Sequence, residues 1–161
     1  MTISDTDMTS DFLIYDTLRN TSNEFIRLCN VKFIDRSVPA MEDNTIYVAN
    51  VELNPRTEMF DGVIYQSVVN IYVKTKVTEY ISASQVLRTI LKEIKQVLKA
   101  DPVLDNRNIR FGRQSFDYGS TYTLKGISLL VYLDEEETFS ADIEEVKRLC
   151  GLTLDKVDIE D

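Results

Sequence analysis

The side chains able to do chemistry in this chain are mostly carboxylates and guanidinium groups, because histidine is absent. Without an imidazole there is no side chain that ordinarily titrates near neutrality, no base for a serine triad and no usual zinc ligand. Cys29 and Cys150 stand far apart, without metal-ligand spacing or a disulfide framework, so both are expected as buried thiols. Gly62, Gly112, Gly119, Gly126 and Gly151 never approach G-x-G-x-x-G or G-x-x-x-x-G-K spacing, which removes a phosphate-cradling loop. Carboxylates remain. Asp134, Glu135, Glu136 and Glu137 could in principle hold Mg²⁺ or supply an acid–base pair, but four acids after an apolar run read first as a solvated turn. No catalytic, metal or cofactor site is expected. Binding to other proteins is the reading that remains.

The charge is unevenly placed. The chain carries 27 acids and 18 bases, a net charge of −9, and 11 of those acids with 3 of those bases lie in residues 134–161. The remainder is nearly neutral. A net-negative protein does not suit sequence-independent binding to phosphates, which needs lysine and arginine to displace counterions. Arg107, Arg110 and Arg113 form the one small basic cluster, too few charges for a nucleic-acid groove; pairing of Arg110 and Arg113 with acids on neighbouring strands is expected. No apolar run nears the roughly 18 residues of a membrane span, so no membrane partner is expected. The polar start, Met1 to Asp7, lacks a basic n-region, which points to synthesis and folding in the cytoplasm.

The elements that must position these groups are legible in the periodicities. A chain of 161 residues with 43% hydrophobic and 28% charged residues fits one globular domain over 1–161, frayed over 1–8, folded over 9–150 and ending in an acidic tail over 151–161. Thr9-Ser10-Asp11 offers caps for a first helix, and Asn20-Thr21-Ser22-Asn23 predicts a break within it. Residues 30–44 read as a connection. Thr45–Leu53 reads as a strand with Tyr47, Ala49, Val51 and Leu53 on one face. Val63–Lys76 alternates more clearly, with Val63, Tyr65, Val69, Ile71 and Val73 on one side. Pro55 and Asp61-Gly62 mark the residues between these strands as a long hairpin tip. Val86, Leu87, Ile90, Leu91, Ile94, Val97 and Leu98 recur at helical spacing over 83–99, with Ser82 and Gln85 at capping-box spacing and Asp101-Pro102 as a stop.

Strands over 108–116 and 121–133 follow. The second carries Ile127, Leu129, Val131 and Leu133 on one face and Leu124, Leu130 and Tyr132 on the other, as a central strand covered on both sides would. A short helix over 140–150 is predicted, with Ile143, Val146, Leu149 and Cys150 facing inward and Gly151 ending it. The expected fold is α+β: a mainly antiparallel sheet of four strands or slightly more, an amphipathic helix across it, and helices at both ends.

Two groups stand out as candidates for partner contact. Arg56, Glu58, Met59 and Phe60 fall at the hairpin tip, where large apolar side chains need either cover from the same chain or a partner. Asp134, Glu135, Glu136 and Glu137 begin the acidic segment.

The element order resembles the tail-terminator and tail-completion proteins of long-tailed phages. The resemblance covers roughly residues 9–150 and rests on the strand Thr45–Leu53, the strand from Gly62 to Lys76 (Gly-Val-Ile-Tyr-Gln-Ser-Val-Val-Asn-Ile-Tyr-Val-Lys-Thr-Lys) and the helix Ser82–Ala100. It implies a non-enzymatic virion protein that forms a ring, hexameric in that family, which caps the tail tube. The implied partners are other copies of itself, the tail tube protein and the neck or connector protein. On that reading Arg56, Glu58, Met59 and Phe60 would meet a neighbouring subunit or ring, and Asp134 to Glu137 would line a channel or face a partner. The acidic C-terminal extension departs from the family pattern. Head-completion or stopper proteins of the neck are the near alternative. A metal-independent α+β enzyme or ligand-binding protein and a bacterial adaptor are alternatives of other classes.

Overall fold

The computed structural model describes residues 8–33, 44–118, 123–138 and 147–151. Expectations for 1–7, for 139–146 in the last helix and for the tail over 152–161 lie outside the described residues. The elements are α1 (Ser10–Asn20), α2 (Glu24–Arg27), β1 (Asn30–Phe33), β2 (Thr45–Met59), β3 (Gly62–Lys74), α3 (Tyr80–Ala100), α4 (Pro102–Asn106), β4 (Arg110–Tyr118) and β5 (Leu124–Thr138). They form an α+β fold around a five-stranded sheet of order β1-β2-β3-β5-β4.

Every strand pair is antiparallel except β1 with β2, which is parallel. β1 lies within the segment read from sequence as a connection. Its four residues are too few to show a period of two, and they gain a ladder only by meeting Thr45–Val48. The helices α1 and α3 pack on the sheet. Leu87, Leu91, Ile94 and Leu98 of α3 are buried in one cluster with Val69, Ile71 and Val73 of β3 and with Ile127, Leu129, Val131 and Leu133 of β5. These are the faces expected from the spacing.

Helix ends show where local signals were outweighed. α3 begins at Tyr80, before the expected start, because the Glu79 carboxylate accepts the backbone N–H groups of Ile81 and Ser82. Those bonds, chiefly the one from Ser82, hold the Glu79 carboxyl below its ordinary pKa. Asn23 ends the expected break by accepting from Phe25 and Ile26, so the segment is indeed two helices. Asp101 stops α3 and then caps α4 through Val103 and Leu104, with Pro102 at a position that needs no donor.

On β2 the buried apolar side chains are Ile46 and Val48, not the expected Tyr47 set. A bulge between Asn50 and Glu52 then reverses the alternation, so Leu53 no longer shares a face with Tyr47. The sheet face opposite α3 carries Tyr47, Tyr72 and Tyr132, all half-buried. The Tyr72 ring lies over Gly126, where any Cβ would collide with it. Burial, and then acceptance of its proton by Asp117 at 2.6 Å, raises the Tyr72 phenol above its ordinary pKa.

Leu149 is 65% exposed and Cys150 is exposed, where inward-facing residues were expected. Cys29 is half-buried rather than buried.

Two outcomes follow from this packing. Leu91, 1% exposed, sits between helix and sheet. Leu91→Asp places a charge there without a partner, at a cost on the order of 4 kcal/mol or more, against a total stability of about 5–15 kcal/mol. The expected result is loss of a cooperative melting transition by circular dichroism. Burial pushes the Cys29 thiol up to about 11. At pH 8 a thiol reagent should therefore label Cys150 rapidly and Cys29 slowly, and Cys150→Ser should abolish the fast phase.

Candidate functional site

The two candidate groups, separated by more than seventy residues in sequence, come together on one projecting arm. β2 does not open into a loop after Leu53; it continues as a strand to Met59, turns at Phe60-Asp61, and returns as β3 from Gly62. The residues read as a tip therefore form most of an antiparallel ladder: Asn54 pairs with Gln66, Pro55 with Tyr65, Thr57 with Ile64 and Glu58 with Val63. Pro55 is tolerated because this part of β2 is an edge; β1 covers only Thr45–Val48. Likewise Asp134–Glu137 is a strand, not a solvated turn. It pairs with Gln66, Tyr65, Ile64 and Val63 on the other side of β3. Gly62 sits where its neighbour on β5 comes close: a Cβ there would overlap the Glu137 carbonyl oxygen.

The arm is thus three strands wide, β2–β3–β5. Residues 50–58 of β2 and 136–138 of β5 are exposed along it. Phe60 at the end is fully exposed, and Val51 and Leu53 are 57% and 44% exposed.

The four acids are not equivalent. Asp134 makes an ion pair with Arg56 and lies 3.8 Å from Arg110. Glu135 serves α1. Its Oε1 accepts the Ser10 N–H and the Ser10 hydroxyl, both at 2.8 Å, where Thr9 supplies no side-chain cap. A carboxylate at a helix N-terminus satisfies an orphan donor and meets the positive end of the helix dipole. Arg107 completes this network, 3.8 Å from Glu135, and donates to the Met8 carbonyl at 2.6 Å and the Ser10 hydroxyl at 3.2 Å. The side chains of Arg107 and Glu135 are only 10% and 16% exposed. Met8, expected to be frayed, is thereby held. Glu136 and Glu137 alone of the four are exposed and without a described partner.

The arginine cluster read from sequence is likewise divided. Arg107 belongs to the α1 network, Arg110 to Asp134, and Arg113 is exposed without the acid partner expected for it. Arg56 and Glu58 part in the same way, the first in an ion pair and the second exposed. An open cleft of about 370 Å³ lies between the arm and α4, lined in part by Arg56, Val103, Arg107 and Glu136. Its guanidinium groups are those already engaged by Asp134 and Glu135. Among the described residues no group of three or more His, Cys, Asp or Glu side chains could hold a metal ion, and no helix is long and apolar enough to cross a membrane.

The same fold occurs in a virus-like particle. A chain in the solved structure titled "Virion of native gene transfer agent (GTA) particle" is similar to this one with a TM-score of 0.57 and 14% identity, covering 80% of this chain and 95% of that chain. At that identity the likeness is one of fold. No protein-family model and no curated protein sequence matches the chain.

The division of labour among the acids is measurable. Glu135→Ala removes a carboxylate 3.8 Å from the largely buried Arg107, together with the cap of the α1 N-terminus, and should lower unfolding free energy by about 2–4 kcal/mol. Glu136→Ala should change it by less than about 0.5 kcal/mol. Urea titrations of both variants check the contrast; equal effects would place Glu135 outside the fold's support.

Proposed function

We propose that this chain, one domain over 1–161, is a structural protein of a phage-like virion. In this reading it forms a ring, hexameric as in the tail-terminator proteins it resembles, that ends the tail tube and joins it to the neck or connector. The observation that carries the reading is the fold shared with nearly the whole of a chain from a gene transfer agent virion. That fold is set beside an arm that a lone subunit has little reason to expose.

The physical argument concerns that arm. A strand edge that no described strand covers, bearing Val51 and Leu53 with Phe60 at its end, is a liability for an isolated protein. In an assembly the same features become contact surface. Partners in this reading are other copies of the chain, the tail tube protein and the neck protein. The place of action is the virion, after synthesis in the host cytoplasm. If the ring has an acidic channel lining, Glu136 and Glu137 supply it, since Asp134 and Glu135 are already engaged within the subunit.

The test pairs Met59→Ser with Phe60→Ser. Both positions lie at the end of the arm, away from the core cluster. The double variant is expected to melt within a few degrees of the parent yet to fail in forming rings or capping tail tubes. Light scattering after size exclusion and negative-stain imaging read this out. Rings of normal size and yield from the variant would remove the arm's end from the contact.

A further inference from the structure

Resting on the ring reading above, we propose that neighbouring copies join by sheet extension, the free edge of β2 in one copy adding to β4 of the next. Besides the four-residue outer edge of β1, the sheet has two longer stretches of edge that no described strand covers: β2 beyond Val48, over Ala49–Met59, and β4 over Arg110–Tyr118. Their directions suit each other. β2, β3, β5 and β4 alternate in sense along the sheet, so β2 and β4 run oppositely. A copy turned about a ring axis therefore presents its β2 antiparallel to β4. This contact is heterologous: each subunit offers two different edges, and repetition closes into a ring if the rotation permits.

The charges left over on the two edges are complementary. The β2 edge and its turn carry Glu52, Glu58 and Asp61, all exposed, while the arm's one arginine, Arg56, is committed to Asp134. The β4 side is mainly basic, its one acid, Asp117, accepting from the Tyr72 hydroxyl. Arg113 is exposed on the strand, and α3 lays a row of cations along it: Arg88 over the Phe116 ring at 5.0 Å, Lys95 donating to Gln114, Lys99 donating to the Ile109 carbonyl, and Lys92 between them. Glu52, Glu58, Lys92 and Arg113 have no ion-pair partner among the described residues.

Apolar surface matches as well. Val51 and Leu53 are exposed on one edge, and Phe116 and Tyr118 on the other. Both edges are also guarded against indiscriminate pairing. β2 has bulges near Val51 and Arg56 and carries Pro55, and β4 has a bulge between Phe111 and Gln114. Such devices shorten the ladder a stranger could build. They leave selection to the side chains, where complementary charge sets register and on-rate.

The experiment is a charge exchange in the full chain. One variant carries Glu52→Lys and Glu58→Lys, a second carries Lys92→Glu and Arg113→Glu, and a third carries all four changes. Sedimentation velocity reads assembly, and circular dichroism confirms folding. The first two variants should each assemble about tenfold more weakly or worse. The fourfold variant should recover, and so should a one-to-one mixture of the first two, because each then meets an opposite charge on both edges. If either pair variant assembles like the parent, or if both fail and neither the mixture nor the fourfold variant recovers, the edge pairing is wrong while the ring reading stands. If the parent chain forms no ring alone or on tail tubes, the ring reading falls and takes this proposal with it. Crosslinks from the β2 edge to a tube protein in place of another copy also overturn it.

Discussion

The structure depends on the ladder between β3 and β5, which runs without a register shift from Lys74↔Gly126 to Gly62↔Thr138. Its lower part is buried: Val69, Ile71 and Val73 on one strand and Ile127, Leu129, Val131 and Leu133 on the other meet α3. Its upper part continues past the buried core and carries β2 with it as the arm. One continuous hydrogen-bonded pair thus couples the hydrophobic core, where the folding energy lies, to the exposed arm. The same continuity brings Glu135 into reach of Ser10 and ties the start of α1 to the sheet.

What was legible in the sequence follows from what is local. The alternation in β3 and the helical spacing in α3 each bury a face, so each leaves a strong periodic signal. The arm left none. Asn54-Pro55 is a turn former by local preference, and Asp134–Glu137 looks like solvated acid; their strand state is decided by ladder partners on β3. The face of β2 was misread because Ile46 and Val48 alternate as well as Tyr47 and Ala49 do, and burial chose between them. β1 was too short to show a pattern. The capping role of Glu135 had no sequence signal, since a helix capped from a distant strand looks the same as one capped by water.

The candidate site was half legible. Both groups of residues named from sequence do lie on one structural feature, but for reasons composition does not contain. Charge counting put four equivalent acids at one place and three arginines at another. The structure converts these into two intrachain linkages, Asp134 with Arg56 and Arg110, and Glu135 with Arg107 and Ser10. Among the exposed charges outside those linkages, Glu52, Glu58 and Asp61 lie along β2 and its turn, Arg113 lies on β4, and Glu136 and Glu137 lie on β5.

Hydrogen–deuterium exchange, resolved by peptide, tests most directly the claim that the arm is the assembly element. In the dilute subunit, amides of 50–58, laddered among the described residues on one side only, should exchange faster than those of 64–70, which are laddered on both sides. On assembly, 50–58 should become protected together with 113–118, while 64–70 changes little. Protection confined to the helices, with 50–58 exchanging as fast in the assembly as in the subunit, would contradict the account.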